Sequence, residues 1–471
     1  MNGPSNPSAA AAAESELLYE VRRKIQPRAV SGLFAGWRWA LVWGTQLLFY
    51  GLPWLTWNDR PAILFDLLTR RFYLFGLVLY PQDFIYLTGL LVISAMALFL
   101  FTTVAGRLWC GYACPQTVYT ELFLWIERRV EGDRAARLRL DRAGPSARKL
   151  GLRSLKHLLW IALALWTGLS FVAYFTPIRV LLGEVADLAL GPWETFWILF
   201  YGLATYGNAG FMREQVCKYM CPYARFQSSM FDRDTLIITY DEARGEPRGS
   251  RSRKADPAAL GLGSCIDCGL CVEVCPTGID IRNGLQYECI GCAACIDTCD
   301  QIMDKMGYAR GLIRYTTQNA LANGWSRARM IRRALRPRVL VYGTILLTVT
   351  VALFTHVVMR TPLKLDVIRD RGSLGREVED GEIENVFRLH VINTAEIGRR
   401  YQLSVSGIAS ARIASTPQIE VPAAQEQVVA VRVRITGGAA APGSSPLVFR
   451  LEALDDPSVT VREKSVFYVP R

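Results

Sequence analysis

Residues 265–300 read CIDCGLCVEVCPTGIDIRNGLQYECIGCAACIDTCD. Eight cysteines fall here in two sets, Cys265, Cys268, Cys271, Cys275 and Cys289, Cys292, Cys295, Cys299, each spaced C-x2-C-x2-C-x3-C. Each cysteine of the second set lies 24 positions after its counterpart, so the run is an internal duplication. Three closely spaced thiolates wrap one corner of an iron–sulfur cube, while the short C-x3-C arm reaches across to the neighbouring one. The spacing predicts two [4Fe–4S] clusters. One takes Cys265, Cys268, Cys271 and Cys299, and the other takes Cys289, Cys292, Cys295 and Cys275.

This is the spacing of bacterial two-cluster ferredoxins. Structural zinc also uses C-x2-C pairs, but a triple run with a trailing C-x3-C suits it poorly. One departure is Asp300, where a proline follows the fourth cysteine of the first set (Pro276). With every cluster corner held by cysteine, the expected work is one-electron transfer.

Outward from this run the chain is apolar. Of 471 residues 51% are hydrophobic and 20% charged, with 54 Lys and Arg against 42 Asp and Glu, a net charge of +12. That excludes a disordered charged tail protein. Only three His are present, which excludes a His-rich metal site and a multi-haem protein. Five stretches are long enough to cross a bilayer: Trp39–Trp57, Phe84–Ala105, His157–Thr176, Trp193–Met212 and Val339–Met359. A sixth, Pro61–Tyr80, carries Asp66, Arg70 and Arg71, so it reads as interfacial or re-entrant. Lys and Arg crowd the N-terminal tail, the loop 106–156 and the segment before the last span. That bias places these parts in the cytoplasm and everything after Met359 outside. The positive charge is this topological signal, not a nucleic-acid site.

The other four cysteines stand at span ends. Residues 107–115 read RLWCGYACP and residues 216–223 read VCKYMCPY, so both contain Cys-x-Tyr-x-Cys-Pro. Cys110 and Cys114, and Cys217 and Cys221, are spaced to share a helix face. The following proline puts each second thiol at a helix-to-loop junction. Four thiols at the membrane surface could be buried caps or redox dithiols, but metal binding is the leading reading. Soft thiolates select Cu(I), zinc or iron–sulfur centres. Arg107, Arg213 and Lys218 are expected to favour the thiolate. After Met359 the apolar pattern turns to period two, as in Val386–Ile392, Tyr401–Ile408, Val428–Ile435 and Pro446–Leu454. About seven short strands suggest an immunoglobulin-like sandwich.

These features together resemble cytochrome c oxidase accessory proteins of the CcoG/FixG/RdxA family. The resemblance rests on the two Cys-x3-Cys-Pro motifs, the eight-cysteine insert, the final span and the outer β domain, and it covers the chain from about Tyr19. It implies reduction of Cu(II) to Cu(I) for assembly of cbb3-type cytochrome oxidase. It carries copper onto Cys110, Cys114, Cys217 and Cys221, and the iron ligands onto the eight cysteines above. Implied partners are the lipid bilayer, cbb3 oxidase subunits or copper-handling assembly proteins, and an electron donor the sequence does not name. A homodimer is compatible with it; nucleic acid is not a partner. The other readings are quinol oxidation and an assembly scaffold without redox chemistry.

The expected fold is a multi-domain protein of the bacterial inner membrane. An α-helical transmembrane bundle of about five spans carries an inserted α+β two-cluster ferredoxin domain and a C-terminal all-β sandwich. The boundaries are a cytoplasmic tail at 1–35, a four-span domain at 36–225, the cytoplasmic ferredoxin domain at 226–337, a fifth helix at 338–360 and the periplasmic sandwich at 361–471.

Overall fold

The computed structural model describes residues 25–370, 375–378 and 381–470. Of the expected tail at 1–35, residues 1–24 lie outside the described residues. The chain divides into two compact units, one of 1–42, 102–160 and 207–334, the other of 43–101, 161–206 and 335–471.

In the first unit, the strands Ile237–Tyr240 and Ile313–Thr316 pair antiparallel, Ile237 opposite Thr316. They pack on the helix Ala294–Met306 through Ile238, Tyr240, Ile296, Met303, Leu312 and Ile313, all at most 4% exposed. The 24-residue duplication reappears in the backbone. Asp267 (φ 52°) and Gly269 (φ 66°) are matched by Gly291 (φ 70°) and Ala293 (φ 59°). Left-handed residues at these positions curl the loop so that successive N–H groups turn to one side, the geometry that cradles anionic sulfur. Asp300, standing in the usual proline position, accepts a hydrogen bond from Gly311 N at 2.9 Å and pins the end of the loop 307–311.

The second unit holds two β-sheets at its C-terminal end. One is ordered Arg412–Ile413, Glu426–Ile435, Ile383–Asn393, Leu363–Arg369, with Arg376–Glu377 also pairing on Ile383–Asn393. The other is ordered Gln418–Val421, Arg399–Ser406, Gly443–Ala453, Thr460–Val469. Alternate residues of both turn inward: Phe387, Leu389, Val391, Tyr401, Val431, Val433, Phe449, Leu451 and Phe467 are fully enclosed. Phe387 and Phe449 meet edge to face at 5.0 Å. The sandwich thus has nine described strands rather than about seven, because the short pieces Arg376–Glu377 and Arg412–Ile413 are too brief to show period two.

Among the described residues, three helices are long and apolar enough to cross a membrane: Pro81–Ala105, Ala147–Val172 and Pro337–Val358. The most apolar windows of the first and third contain no buried residue. These two helices touch each other at Gly89 and Leu353, and the apolar faces left uncovered call for hydrocarbon. The other two expected spans are also helical but shifted or interrupted. Leu33–Gly51 starts earlier than expected, carries the buried Arg38, and ends before Trp57. Pro192–Thr205 runs on as a π-helix, Tyr206–Met212.

The segment 61–80, expected to be interfacial or re-entrant, is β-structure and not a spanning helix. It folds as a three-stranded sheet of Ile63–Asp66, Arg71–Leu74 and Leu77–Leu79. The charges that made a span costly sit at its hairpin turn, where Asp66 caps Leu68 N and Thr69 N at 3.0 Å and pairs across the ladder with Arg71. Val78 and Tyr80 pack with Ile392 of the sandwich. Glu396 receives Trp57 Nε1 (3.1 Å), Asn58 Nδ2 (2.6 Å) and Arg60 Nη2 (2.5 Å). Val78 and Tyr80 therefore serve a protein surface, while Leu67 and Leu68 at the hairpin turn stay exposed.

Candidate redox and metal site

The eight clustered cysteines surround two adjoining cavities in the first unit. Cys265, Cys268, Cys271 and Cys299 line one, beside Tyr240, Arg282 and Met303. Cys275, Cys289, Cys292 and Cys295 line the other, which Cys271 also reaches. The C-x3-C arms thus cross between cavities. Four thiols around each is the donor set that a four-iron cluster takes, so the residues fit that group. Burial pushes Cys271 up to about 11 and Cys289 and Cys299 to about 12, and raises Cys292 and Cys295 as well. A buried thiol gives up its proton when a metal takes the sulfur.

The four other cysteines also come together. The Cys217 thiol lies within electrostatic reach of Cys114, Cys110 and Cys221. The two motifs reach this point by different backbones. Cys110 sits in the short α-helix Leu108–Tyr112, whereas Cys217 sits in a π-helix, Val216–Met220, closed by Cys221 N to Val216 O at 2.8 Å. Neither proline leads into a loop. Cys114 and Cys221 are extended N-cap residues, and Pro115 and Pro222 open the helices Pro115–Glu131 and Pro222–Met230. Proline suits the first helical position because its missing N–H has no partner there anyway.

These two helices lock the motifs reciprocally. Gln227, 1% exposed, sends its amide to Cys110 Sγ at 3.4 Å. Gln116 donates to Asn208 O (3.0 Å) and Arg213 O (3.1 Å), holding the backbone that leads to Cys217. Burial dominates the thiol protonation here too, pushing Cys110 up to about 11 and Cys217 to about 12, while Arg107 offsets little of it. Arg213 is spent on Glu127 (3.1 Å) and Gly210 O (3.0 Å). Arg107 favours the thiolate as expected, but desolvation outweighs it.

The thiol group abuts the second cysteine cavity. Gly111 packs so closely on Gly291 and Cys292 that a Cβ would lie 2.8 Å from their backbone. Tyr315 donates to Gly291 O at 2.6 Å and sits 3.3 Å from the Tyr112 hydroxyl. Cys217 and Cys292 line one cavity in common. Among the described residues, no three of His, Cys, Asp or Glu converge on a point where a single metal ion would sit.

Sequence reasoning missed Gly111, Gln227 and Asp297. Asp297 accepts Ala35 N at 2.7 Å and Phe34 N at 3.2 Å, capping the helix Leu33–Gly51 from between two cluster cysteines. A glycine inside a helical motif was the one signal available, for Gly111.

Comparison with known proteins places the chain. It is 41% identical to Protein RdxA of Cereibacter sphaeroides, covering 92% of each. It is 39% identical to Nitrogen fixation protein FixG of Rhizobium meliloti, over 84% of this chain and 81% of that one. Protein RdxB of Cereibacter sphaeroides is 39% identical over 92% of both. The chain belongs to the FixG/RdxA family. Residues 353–470 match the family described as "IG-like fold at C-terminal of FixG". Residues 212–318 match "4Fe-4S dicluster domain", and residues 87–131 match "4Fe-4S binding domain". This FixG/RdxA-family chain is thus a membrane-associated iron–sulfur electron-transfer protein. The 87–131 match contains just two cysteines, Cys110 and Cys114. The other two thiols of their group come from the dicluster match.

Proposed function

We propose that this protein reduces Cu(II) to Cu(I) at the thiols of Cys110, Cys114, Cys217 and Cys221, and that the product supplies the copper centre of a cbb3-type oxidase. Cys265, Cys268, Cys271 and Cys299 hold one [4Fe–4S] cluster, and Cys275, Cys289, Cys292 and Cys295 the other. Bound clusters of this kind supply one-electron transfer, and Cu(II) takes one electron. The observation that carries the reading is the seating of Gly111 against Gly291 and Cys292. It puts the four-thiol group beside the second cluster's ligand loop. Thiolate sulfur favours Cu(I) over Cu(II), so the site retains the reduced ion. Two of the four sulfurs suffice for a two-coordinate Cu(I). Gln227 fixes the Cys110 sulfur, and the π-helix turns Cys217 toward it.

We place the first unit's cysteines on the cytoplasmic side and the sandwich on the periplasmic side of five spans, from the Lys/Arg bias of the loops. On the outer face the sandwich docks oxidase subunits or copper-handling proteins.

The family description of residues 87–131 favours a second reading, in which the four thiols hold a third iron–sulfur cluster. Iron analysis of the anaerobically purified chain decides between them. Two clusters give about eight iron atoms per chain and three give about twelve. The copper reading requires about eight, together with tight Cu(I) binding that Cys→Ala at 110, 114, 217 or 221 weakens while the cluster spectrum persists. About twelve iron atoms, falling to eight in the quadruple variant, would establish the third cluster instead.

A further inference from the structure

A cavity of the first unit, adjoining the second cysteine cavity across Pro276 and Ala294, is walled by arginine. Arg28, Arg38, Arg128 and Arg137 line it, with Glu121 as the single carboxylate among its lining residues. Two of the four are deeply enclosed: Arg38 is 8% exposed and Arg137 2%. Each has a buried Nε with no hydrogen-bond partner. Their neighbours leave the charge unbalanced. Arg137 sends Nη1 to Glu127 (2.9 Å) and Nη2 to Pro27 O (2.9 Å), but Glu127 also serves Arg213. Arg128 reaches Glu121 only at 3.8 Å, and Arg28 reaches Glu273 only at 3.9 Å, where Arg134 is already bound at 2.9 Å. Cys292 is within electrostatic reach of Arg38.

A buried donor without a partner is costly, and a buried guanidinium more so. Several guanidiniums around one cavity, with unused N–H groups, match a planar or tetrahedral oxyanion. We propose that this cavity binds a phosphate group, presented by inorganic phosphate or by a phospholipid headgroup. The group takes the unused Nε donors of Arg38 and Arg137, while Arg28 and Arg128 close the open side. Pro276 and Ala294 form the far wall, so the bound anion lies beside the loop that carries Cys275, Cys292 and Cys295.

The test uses the full chain purified in detergent. Inorganic phosphate is titrated by calorimetry at constant ionic strength, and phosphatidylglycerol in mixed micelles is titrated against phosphatidylcholine. Arg38→Gln and Arg128→Gln are run in parallel, their folding checked by cluster absorbance. Should Arg38→Gln fail to fold, Arg128→Gln decides, because its side chain is partly exposed. Losing one charge-assisted contact weakens binding about ten- to a hundredfold. Saturable phosphate binding weakened to that extent supports the site with free phosphate as its ligand. Binding of phosphatidylglycerol alone, weakened in the same way, supports it with the headgroup as the source. Absence of saturable binding by either probe, or binding that the folded variants leave unchanged, overturns it.

Discussion

Replacing Gly111 with alanine tests the contact on which the function rests. The added Cβ would stand 2.8 Å from Cys292 N and Cα and from Gly291 C. Carbon atoms settle at about 3.5 Å or more, so something must retreat by roughly 0.7 Å. The obstacle is backbone, not the end of a flexible side chain, and that backbone carries a cluster cysteine. Overpacking costs about 1–3 kcal/mol, and an immovable neighbour puts this case at about 3. Alanine returns about 1 kcal/mol through its helix propensity. The net loss is about 2 kcal/mol, a fall of roughly 4–8 °C in the midpoint of thermal cluster loss. Gly151→Ala is the control. It lies in the helix Ala147–Val172 with nothing within 4 Å of its Cβ position, so it should be neutral or stabilising by up to about 1 kcal/mol. Gly111→Ala should also slow copper reduction, since it pushes the thiol motif off the cluster loop. A Gly111→Ala protein as stable and as active as Gly151→Ala would refute the contact.

Three other perturbations have defined outcomes. Glu127→Gln removes a carboxylate, 1% exposed, that faces Arg137 at 2.9 Å, Arg213 at 3.1 Å and Lys156 at 3.8 Å; about 3–5 kcal/mol should be lost in thermal unfolding, with Glu127→Asp recovering part of it. Glu384, fully buried in the sandwich, is desolvated, but its bonds to Arg376 and Arg434 prevail and hold its pKa below the ordinary value. A depressed carboxylate contributes stability above its unfolded pKa of about 4.3 and loses it as pH falls through the folded value; acid unfolding of the sandwich should therefore begin below about pH 4.3, and Glu384→Gln should flatten that dependence in circular dichroism. Glu396→Ala strips three hydrogen bonds from Trp57, Asn58 and Arg60; limited proteolysis near the fully exposed Leu68 should quicken several-fold, and unchanged cleavage would show that Val78 and Tyr80 alone hold the small sheet.

What the sequence disclosed depended on whether a signal was local. The 24-residue cysteine repeat specified its own loops, down to left-handed residues at matching positions, because cluster spacing and backbone conformation are set by the same few residues. Strand alternation in 386–392 and 428–435 marked the sandwich for the same reason. Segment 61–80 misled because hydropathy does not say whether an apolar face meets lipid or protein, and its partner Glu396 lies more than 300 residues away. The two Cys-x3-Cys-Pro motifs looked identical, yet one is α-helical and the other π-helical. Their spacing does not show that difference, nor that Gln116 holds the backbone before Cys217. Gln227 and Gly111 owe their roles to residues over a hundred positions away, beyond the reach of any spacing argument. Arg107 favours the thiolates as expected, but sequence proximity carries no information about the desolvation that outweighs it.

The central claim is that Cu(II) is reduced at the four-thiol group. Anaerobic protein in detergent, with its clusters reduced and excess reductant removed, would receive Cu(II) and a Cu(I)-specific chelator. Cluster absorbance and chelated Cu(I) would be followed together, with the quadruple Cys110, Cys114, Cys217 and Cys221→Ala variant and a cluster-free sample alongside. Cluster reoxidation matched one for one by Cu(I), and slowed by at least tenfold in the quadruple variant, is the predicted result. Copper reduction at the same rate without the four thiols, or without the clusters, would contradict it.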